Sequence, residues 1–429
     1  MRVIFTCFEF KYPNFVQPMT SACSPTISLI SKSKHESGNS GMDVQFITLD
    51  KLVNLQVSSS SVYFDIAYLR SISVNDSEDL RHIFPCVFLK GELVAFGAFC
   101  LLRRDKTQVV KAIADQGTSG RIWKQALKSL LPLVLGSCDT HVQILIAGNM
   151  LVSGPYGMHF LINDDAKLQQ EIWHSALKAA DEQFGTSALT VVKDFLPIEG
   201  SQANLSLEGF LKVNTLPLMV MPLPANWTGF SDYLEAMSTK YRTRARAALQ
   251  KAGSLTTEYW DSAQIRANSK QIHLLYTEVY KRAKFRIQPV NEAYIPTLAE
   301  AFPDGRFRFT AWKDGDKLIG FSTAFIHQNQ FDAHLIGMDY TYNRSHSLYL
   351  NMIYRYIQDA LELRVNRIDF GRTAMEIKST AGAIPQELDV MVRLKSGMGN
   401  KLAKRFTSKI KSEDWIQRHP FKLVNETAG

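Results

Sequence analysis

The sequence predicts an α/β (α+β) protein made of two similar units, each a mixed, mostly antiparallel sheet flanked by helices. Three observations carry this. Short apolar runs of strand length alternate along the chain with amphipathic stretches of helical period. Two hairpin patterns, residues 90–99 (KGELVAFGAF) and 314–325 (DGDKLIGFSTAF), match around an acidic-glycine turn, the second longer by two inserted residues. They stand about 225 residues apart, a domain spacing rather than a solenoid period. Finally, residues 331–382 read strand, polar segment, helix and strand, ending in Asp369-Phe370-Gly371-Arg372.

Residues 1–41 lack core-forming periodicity and read as a flexible tail, with Met42 an alternative start. From 42 to 205 a first unit is expected. It holds a hairpin of strands 84–89 and 93–102, a helix at 120–135 and a strand at 142–147. A tight turn at Gly148-Asn149 and residues 153–157 comes next, followed by a helix at 166–184 and a strand at 189–192. Polar residues 197–206 mark the junction. The second unit, 206–400, begins with a strand at 217–222 and helices at 230–237, 238–251, 272–284 and 292–302. A hairpin follows at 307–325. The strand 331–340 alternates apolar and polar residues, and a loop of Asn343, Arg344, Ser345 and Ser347 leads into a helix. Leu348, Ile353, Ile357 and Leu361 set that helix's period, and 365–370 returns as a strand. Backbone amides at a helix N-terminus between two strands suit a phosphate or pyrophosphate. Residues 401–429 form a basic C-terminal segment.

The composition is that of a globular protein: 429 residues, 45% hydrophobic and 21% charged. No apolar run reaches the roughly 18 residues of a membrane span. Five cysteines without CxxC spacing, two of them (Cys86 and Cys100) within apolar runs, predict a reducing cytoplasm. No zinc spacing, nucleophile elbow or Walker loop occurs, so no metal is expected. The net charge of +8 is concentrated. Residues 238–251 carry Lys240, Arg242, Arg244, Arg246 and Lys251 without an acid, and 395–411 adds a second such run. Clusters of this kind suit phosphorylated ligands, an acidic carrier, RNA or an anionic surface.

Three passages resemble the GCN5-related N-acyltransferase (GNAT) superfamily, and within it the Fem-type, tandem-domain branch. They are the basic helix Ser238-Thr239-Lys240-Tyr241-Arg242-Thr243-Arg244-Ala245-Arg246; the meander of 307–325 with strand 332–338; and Ile368-Asp369-Phe370-Gly371-Arg372 followed by Lys378, Ser379 and Gly382. The resemblance covers about 170 residues of the second half well, and the first half by hairpin pattern only, as a duplicated domain would. It implies two tandem GNAT-like domains, the second catalytic, transferring an acyl or aminoacyl group to an amine. Acetyl-CoA users usually carry a glycine-rich loop before the helix. Here Asn343-Arg344-Ser345-His346-Ser347 stands in that place.

Amine acylation needs a base for the ammonium, a donor to the oxyanion and a proton for the leaving group. Asp332 and His334 share one strand face and are the candidate bases, the alternative being a solvated sheet face. Tyr349, at the helix start, is the candidate acid. Asn343, Arg344, Ser345, Ser347, Gly371, Arg372 and Lys378 are candidates for holding the donor, an acyl-CoA or acyl carrier protein thioester. Lys240, Tyr241, Arg242, Arg244 and Arg246 are candidates for a substrate, carrier or tRNA, or else form a solvated face. The expected acceptor is a small or cell-envelope-related amine. Two alternatives are an aminoacyl-tRNA-dependent transferase acting on a peptidoglycan precursor and a non-catalytic basic binding module.

Overall fold

A computed structural model describes residues 41–54, 61–107, 140–162, 165–195, 207–213, 215–283, 288–397, 400 and 415–422. The expected tail, the helix at 120–135, the junction at 197–206 and most of the basic C-terminal segment lie outside the described residues. The first half runs β1 (Met42–Phe46), α1 (Leu49–Asn54), a 3-10 turn (Val62–Phe64), α2 (Ile66–Ser73), β2 (Leu80–Ile83), β3 (Pro85–Leu89), β4 (Glu92–Gly97) and β5 (Phe99–Asp105). It continues with β6 (His141–Ala147), β7 (Met158–Phe160), α3 (Ala166–Phe184), β8 (Leu189–Phe195) and β9 (Leu211–Val213).

The second half runs β10 (Leu218–Pro222), α4 (Phe230–Ala236), α5 (Thr239–Lys251), β11 (Thr256–Tyr259), α6 (Ser262–Ala267), α7 (Ser269–Arg282), α8 (Tyr294–Ala301), β12 (Phe307–Asp314), β13 (Lys317–His327) and β14 (Gln330–Met338). It ends with α9 (Tyr340–His346), α10 (Leu348–Glu362), β15 (Arg367–Asp369), α11 (Met375–Thr380), β16 (Ile384–Gln386) and β17 (Asp389–Leu394).

Local chemistry accounts for the principal helices. Asp165 accepts from the amides of Lys167 and Leu168 at the start of α3, and Gly185, at φ 86°, ends it. The buried side of α3 is Ile172, Trp173, Ala176, Leu177 and Ala180. In α10 the buried residues include Leu348, Met352, Ile353, Tyr356, Ile357 and Leu361, the spacing that predicted the helix.

The strands form three sheets, of order β1-β3-β4-β7, β2-β5-β6-β8-β17-β9 and β11-β12-β13-β14-β15-β10-β16. Among the described residues every pairing is antiparallel except β6 with β8 and β14 with β15. The second-half hairpin is continuous. The expected strand 93–102 is instead two strands divided at Ala98, β4 in one sheet and β5 in the next. At the division the backbones crowd: a Cβ on Gly97 would stand 3.0 Å from the Gly157 carbonyl oxygen.

Two runs of strands correspond, β5-β6-β8-β17-β9 and β13-β14-β15-β10-β16. In each, an antiparallel pair leads through a helix to a parallel strand. Next to that strand, β17 of the second half sits between the first-half strands β8 and β9, while β10, the first strand of the second half, takes the corresponding place between β15 and β16. The insertion of β17 among first-half strands ties the halves together by backbone hydrogen bonds. One hydrophobic cluster also spans both, joining Tyr63, Tyr68 and Phe96 to Tyr294, Phe321 and Phe325.

Candidate functional site

β14 and β15 pair only through Gln330–Arg367, Phe331–Ile368 and Asp332–Asp369. β14 then continues to Met338, while the chain beyond Asp369 turns to β10, where the Phe370 amide donates to the Met219 carbonyl at 2.9 Å. The two parallel strands therefore part immediately after two carboxylates that stand side by side. On its other edge β14 carries a bulge: Ala333 pairs with Ala324 and Ile336 with Ser322, leaving His334 and Leu335 opposite Thr323 alone. The Thr323 hydroxyl fills the gap, accepting from the Leu335 amide at 2.9 Å and donating to its carbonyl at 3.1 Å.

Asp332 is 4% exposed. Its Oδ2 is held by Tyr63 Oη at 2.9 Å, His327 Nε2 at 2.8 Å and Gln330 Nε2 at 3.2 Å. Its Oδ1 has no hydrogen-bond partner among the described residues. Asp369 accepts the Gly371 amide at 2.8 Å. Burial, and then the adjacent Asp332 carboxylate, push the Asp369 pKa well above the ordinary carboxylate range. Lys378, buried in the same cluster, is pushed down to about 7, against the pull of Asp369. Its Nζ donates to the Gly371 carbonyl at 3.2 Å and the Arg372 carbonyl at 2.6 Å. A carboxyl raised and an amine lowered toward neutrality are groups able to move protons near physiological pH. The segment after β15 is held in left-handed backbone at Gly371, Thr373 and Ala374 (φ 69°, 67° and 47°). Strain of this kind gathers at ligand sites.

The face of β14 that bears Asp332 and His334 is not solvated. The first half covers it: the Tyr63 ring packs at a tilt against Tyr156 with centroids 4.3 Å apart and meets the His327 ring edge-on at 5.1 Å. This corrects the alternative of an exposed sheet face. The reason is tertiary, since the polar residues of the strand meet the tyrosines of another unit. His334 pairs with Tyr294 Oη at 3.0 Å, and desolvation lowers its pKa to about 3, so it is neutral and a weak base.

Tyr349 shares no hydrogen bond or ring contact with Asp332 or His334 among the described residues. It is half-buried against the core, and burial raises its phenol pKa, which weakens it as an acid. Residues 340–346, expected as a loop, are helix α9, because Asp339 caps its start by accepting from the Thr341 amide at 3.0 Å. Asn343 Oδ1 accepts the Tyr349 amide at 3.0 Å and so caps α10. Ser345 donates to the Thr341 and Tyr342 carbonyls, Arg344 is exposed, and Ser347 is left-handed at φ 51°.

Arg372 is committed between the halves, bonded to Asp194 and, at 2.5 Å, to Thr215 Oγ1. Asp194, fully buried, also pairs with Lys193 and accepts the Gly154 amide at 3.0 Å. On α5, Ala245 and Ala248 are buried, while Lys240, Arg244, Arg246 and Lys251 are exposed without an acidic partner among the described residues. Arg242 is half-buried and hydrogen-bonds the Met237 carbonyl at 3.4 Å. Tyr241 is half-buried, with Lys240 Nζ 5.9 Å from its ring centroid. Asn351 of α10 bonds the Ala248 carbonyl at 2.9 Å, which docks the basic helix beside the start of α10.

Sequence reasoning passed over Tyr63, Tyr156, His327 and Gln330, and treated Asp369 only as part of a motif. Of these, Asp369 alone carried a sequence signal, as the polar end of an apolar strand. Among the described residues no helix is long and apolar enough to cross a membrane.

Residues 238–379 match the family model described as "Acetyltransferase (GNAT) domain". That span covers α5 through most of α11, including β14, α10 and β15. No curated protein sequence matches the chain. Among solved structures, the chain is similar to FemX at 11% identity, with 84% of this chain and 100% of that chain covered and a TM-score of 0.48. It is similar to the C-terminal domain of a putative lysylphosphatidylglycerol synthetase from Agrobacterium fabrum (12% identity, 83% and 94% covered, TM-score 0.45). A tandem GNAT protein from the clavulanic acid biosynthesis pathway gives 7% identity, 83% and 99% coverage and a TM-score of 0.43. Identities and scores this low add no weight of their own. The family match rests on the segment that holds the parting strands, and it is residues 238–379 that match an acetyltransferase (GNAT) domain.

Proposed function

We propose that this protein is an N-acyltransferase that moves an acyl group from a thioester, on CoA or an acyl carrier protein, to a small or cell-envelope-related amine. The observation that carries the reading is the position of the GNAT match over the β14–α10–β15 unit, where paired strands part beside Asp332 and Asp369. The amine nitrogen attacks the thioester carbonyl, a C–N bond forms and the C–S bond breaks. The ammonium proton passes to the Asp332–Asp369 pair, and the thiolate takes up a proton, for which Tyr349 is the candidate donor. Asn343, Arg344, Ser345, Ser347 and the Gly371–Lys378 segment flank the donor's path in this reading. Asp332→Asn and Asp369→Asn should each lower kcat about a hundred-fold or more in an acyl-transfer assay, with the fold retained by circular dichroism. Wild-type turnover in both variants removes the pair from the chemistry. Absence of turnover with every acyl thioester and aminoacyl-tRNA tried favours a non-catalytic module.

A second reading, aminoacyl-tRNA as donor and a peptidoglycan precursor as acceptor, is favoured by the exposed cations of α5, which have no acidic partner among the described residues. Donor affinity measured against salt separates the two. A tRNA bound by Lys240, Arg244 and Arg246 should lose about one log unit of affinity per log of salt for each phosphate contacted. A CoA ester, with few phosphates, should respond far less. A flat response, unchanged by reversing Arg244 and Arg246 to Glu, returns α5 to the solvated surface.

A further inference from the structure

A second site lies in the first half, on the face of the β2-β5-β6-β8-β17-β9 sheet that α3 covers. Along most of this face α3 is packed down: Trp173 stacks on Phe99, and Asp181 pairs with Arg393 at 2.5 Å. The helix ends at Phe184, and beyond its end the sheet is left with a cavity of about 550 Å³. That size falls within the ~300–1,000 Å³ range of small-molecule sites.

Strand register places four basic side chains on this side. Arg81 pairs with Leu101, Arg103 with Gln143 and His141 with Asp105, while the Lys395 amide bonds the Ala188 carbonyl at 3.1 Å. Arg81, Arg103, His141 and Lys395 are exposed, line the cavity, and have no acidic partner among the described residues. Among the described residues His141 Nδ1 meets only Thr140 Oγ1, at 2.9 Å. The Arg81 guanidinium stands 5.5 Å from the Phe184 ring centroid, beside the partly buried Leu101. The acids on the lining are Glu78 and Asp79, which precede β2 in sequence. Separate cations brought from three strands suit an anion with several oxygens, such as a phosphate, better than one carboxylate. The cavity is also larger than an inorganic phosphate requires, and it has an aromatic and aliphatic wall.

We propose that this cavity binds a small organic phosphate, its phosphoryl group held by Arg81, Arg103 and Lys395 and its planar apolar portion set against Phe184 and Leu101. The site lies on the first-half sheet and does not depend on the acyl-transfer reading. The probe is 4-methylumbelliferyl phosphate, an aryl phosphate unlike CoA, titrated into the full chain by calorimetry. Binding is expected in the micromolar range, with 4-methylumbelliferone and inorganic phosphate each at least tenfold weaker. Arg103→Glu and Lys395→Glu should each weaken the probe tenfold or more. If a Glu variant melts early, Arg103→Gln and Lys395→Gln replace them, with a smaller loss in the same direction. No binding at 1 mM probe overturns the proposal, as does wild-type affinity in both substitutions. Equal affinity for umbelliferone, without the phosphate, likewise overturns it.

Discussion

His334 has a neighbourhood that fixes its charge. Its ring lies against Phe325, with centroids 5.2 Å apart, and among the described residues its one hydrogen-bond partner is a tyrosine hydroxyl, so desolvation meets no opposing carboxylate there. The native pKa of about 3 lies below the unfolded value, so between those values the unfolded chain binds a proton that the native chain does not. Stability is therefore present above the unfolded histidine pKa and is lost as pH falls, by up to about 1.4 kcal/mol per pH unit. His334→Gln should flatten this part of the profile in urea melts taken from pH 7 to 4. An unchanged slope would show that the ring is hydrated. Asp369 works in the opposite sense. Its raised native pKa makes the folded state hold a proton that the unfolded state releases, so stability falls as pH rises out of the ordinary carboxylate range. Asp369→Asn removes that loss, and the variant should gain on the wild type as pH rises toward neutrality in the same melts.

The junction of α9 and α10 is decided by two residues at the element scale. Asn343 reaches forward to the Tyr349 amide, which supplies α10 with the cap that the left-handed Ser347 does not provide. Asn343→Ala should cost about 1 kcal/mol, the usual value of a lost cap. Ser347→Val should cost more than that, because a β-branched side chain resists positive φ. Both are measured by denaturant midpoint at constant m-value. If Ser347→Val left the midpoint unmoved, the turn would have to be right-handed in solution.

A second-half strand built into a first-half sheet governs the whole molecule. Val390 and Val392 of β17 are fully buried against the first-half strands, although they lie at the far end of the chain. Val392→Asp should destabilise by several kcal/mol, since a buried, unpaired carboxylate is among the costliest substitutions. The loss should not be confined to one half. Fluorescence of the first-half Trp173 and of the second-half Trp312, read in single-tryptophan variants, should shift together and remain coincident. Two separated transitions would show that the halves unfold independently. Arg372 binds the same interface to the fully buried Asp194. Arg372→Ala should cost about 3–5 kcal/mol by leaving that carboxylate underpaired.

The sequence by itself determined most of the helices, both hairpin turns and the strand–helix–strand unit, because each depends on period and capping within a dozen residues. It also determined the basic face of α5 and the buried state of Cys86 and Cys100. Short or edge elements such as β9, β11 and β16 were not legible, since three or four residues carry no period. Only the tertiary structure decided that Asp332 faces Tyr63, 269 positions away, and that its strand face is buried rather than wet. The placement of β10 and β17 also belongs to tertiary structure. Each is a short apolar run that fits any sheet of matching register, and which sheet it completes depends on where the rest of the chain places an open edge.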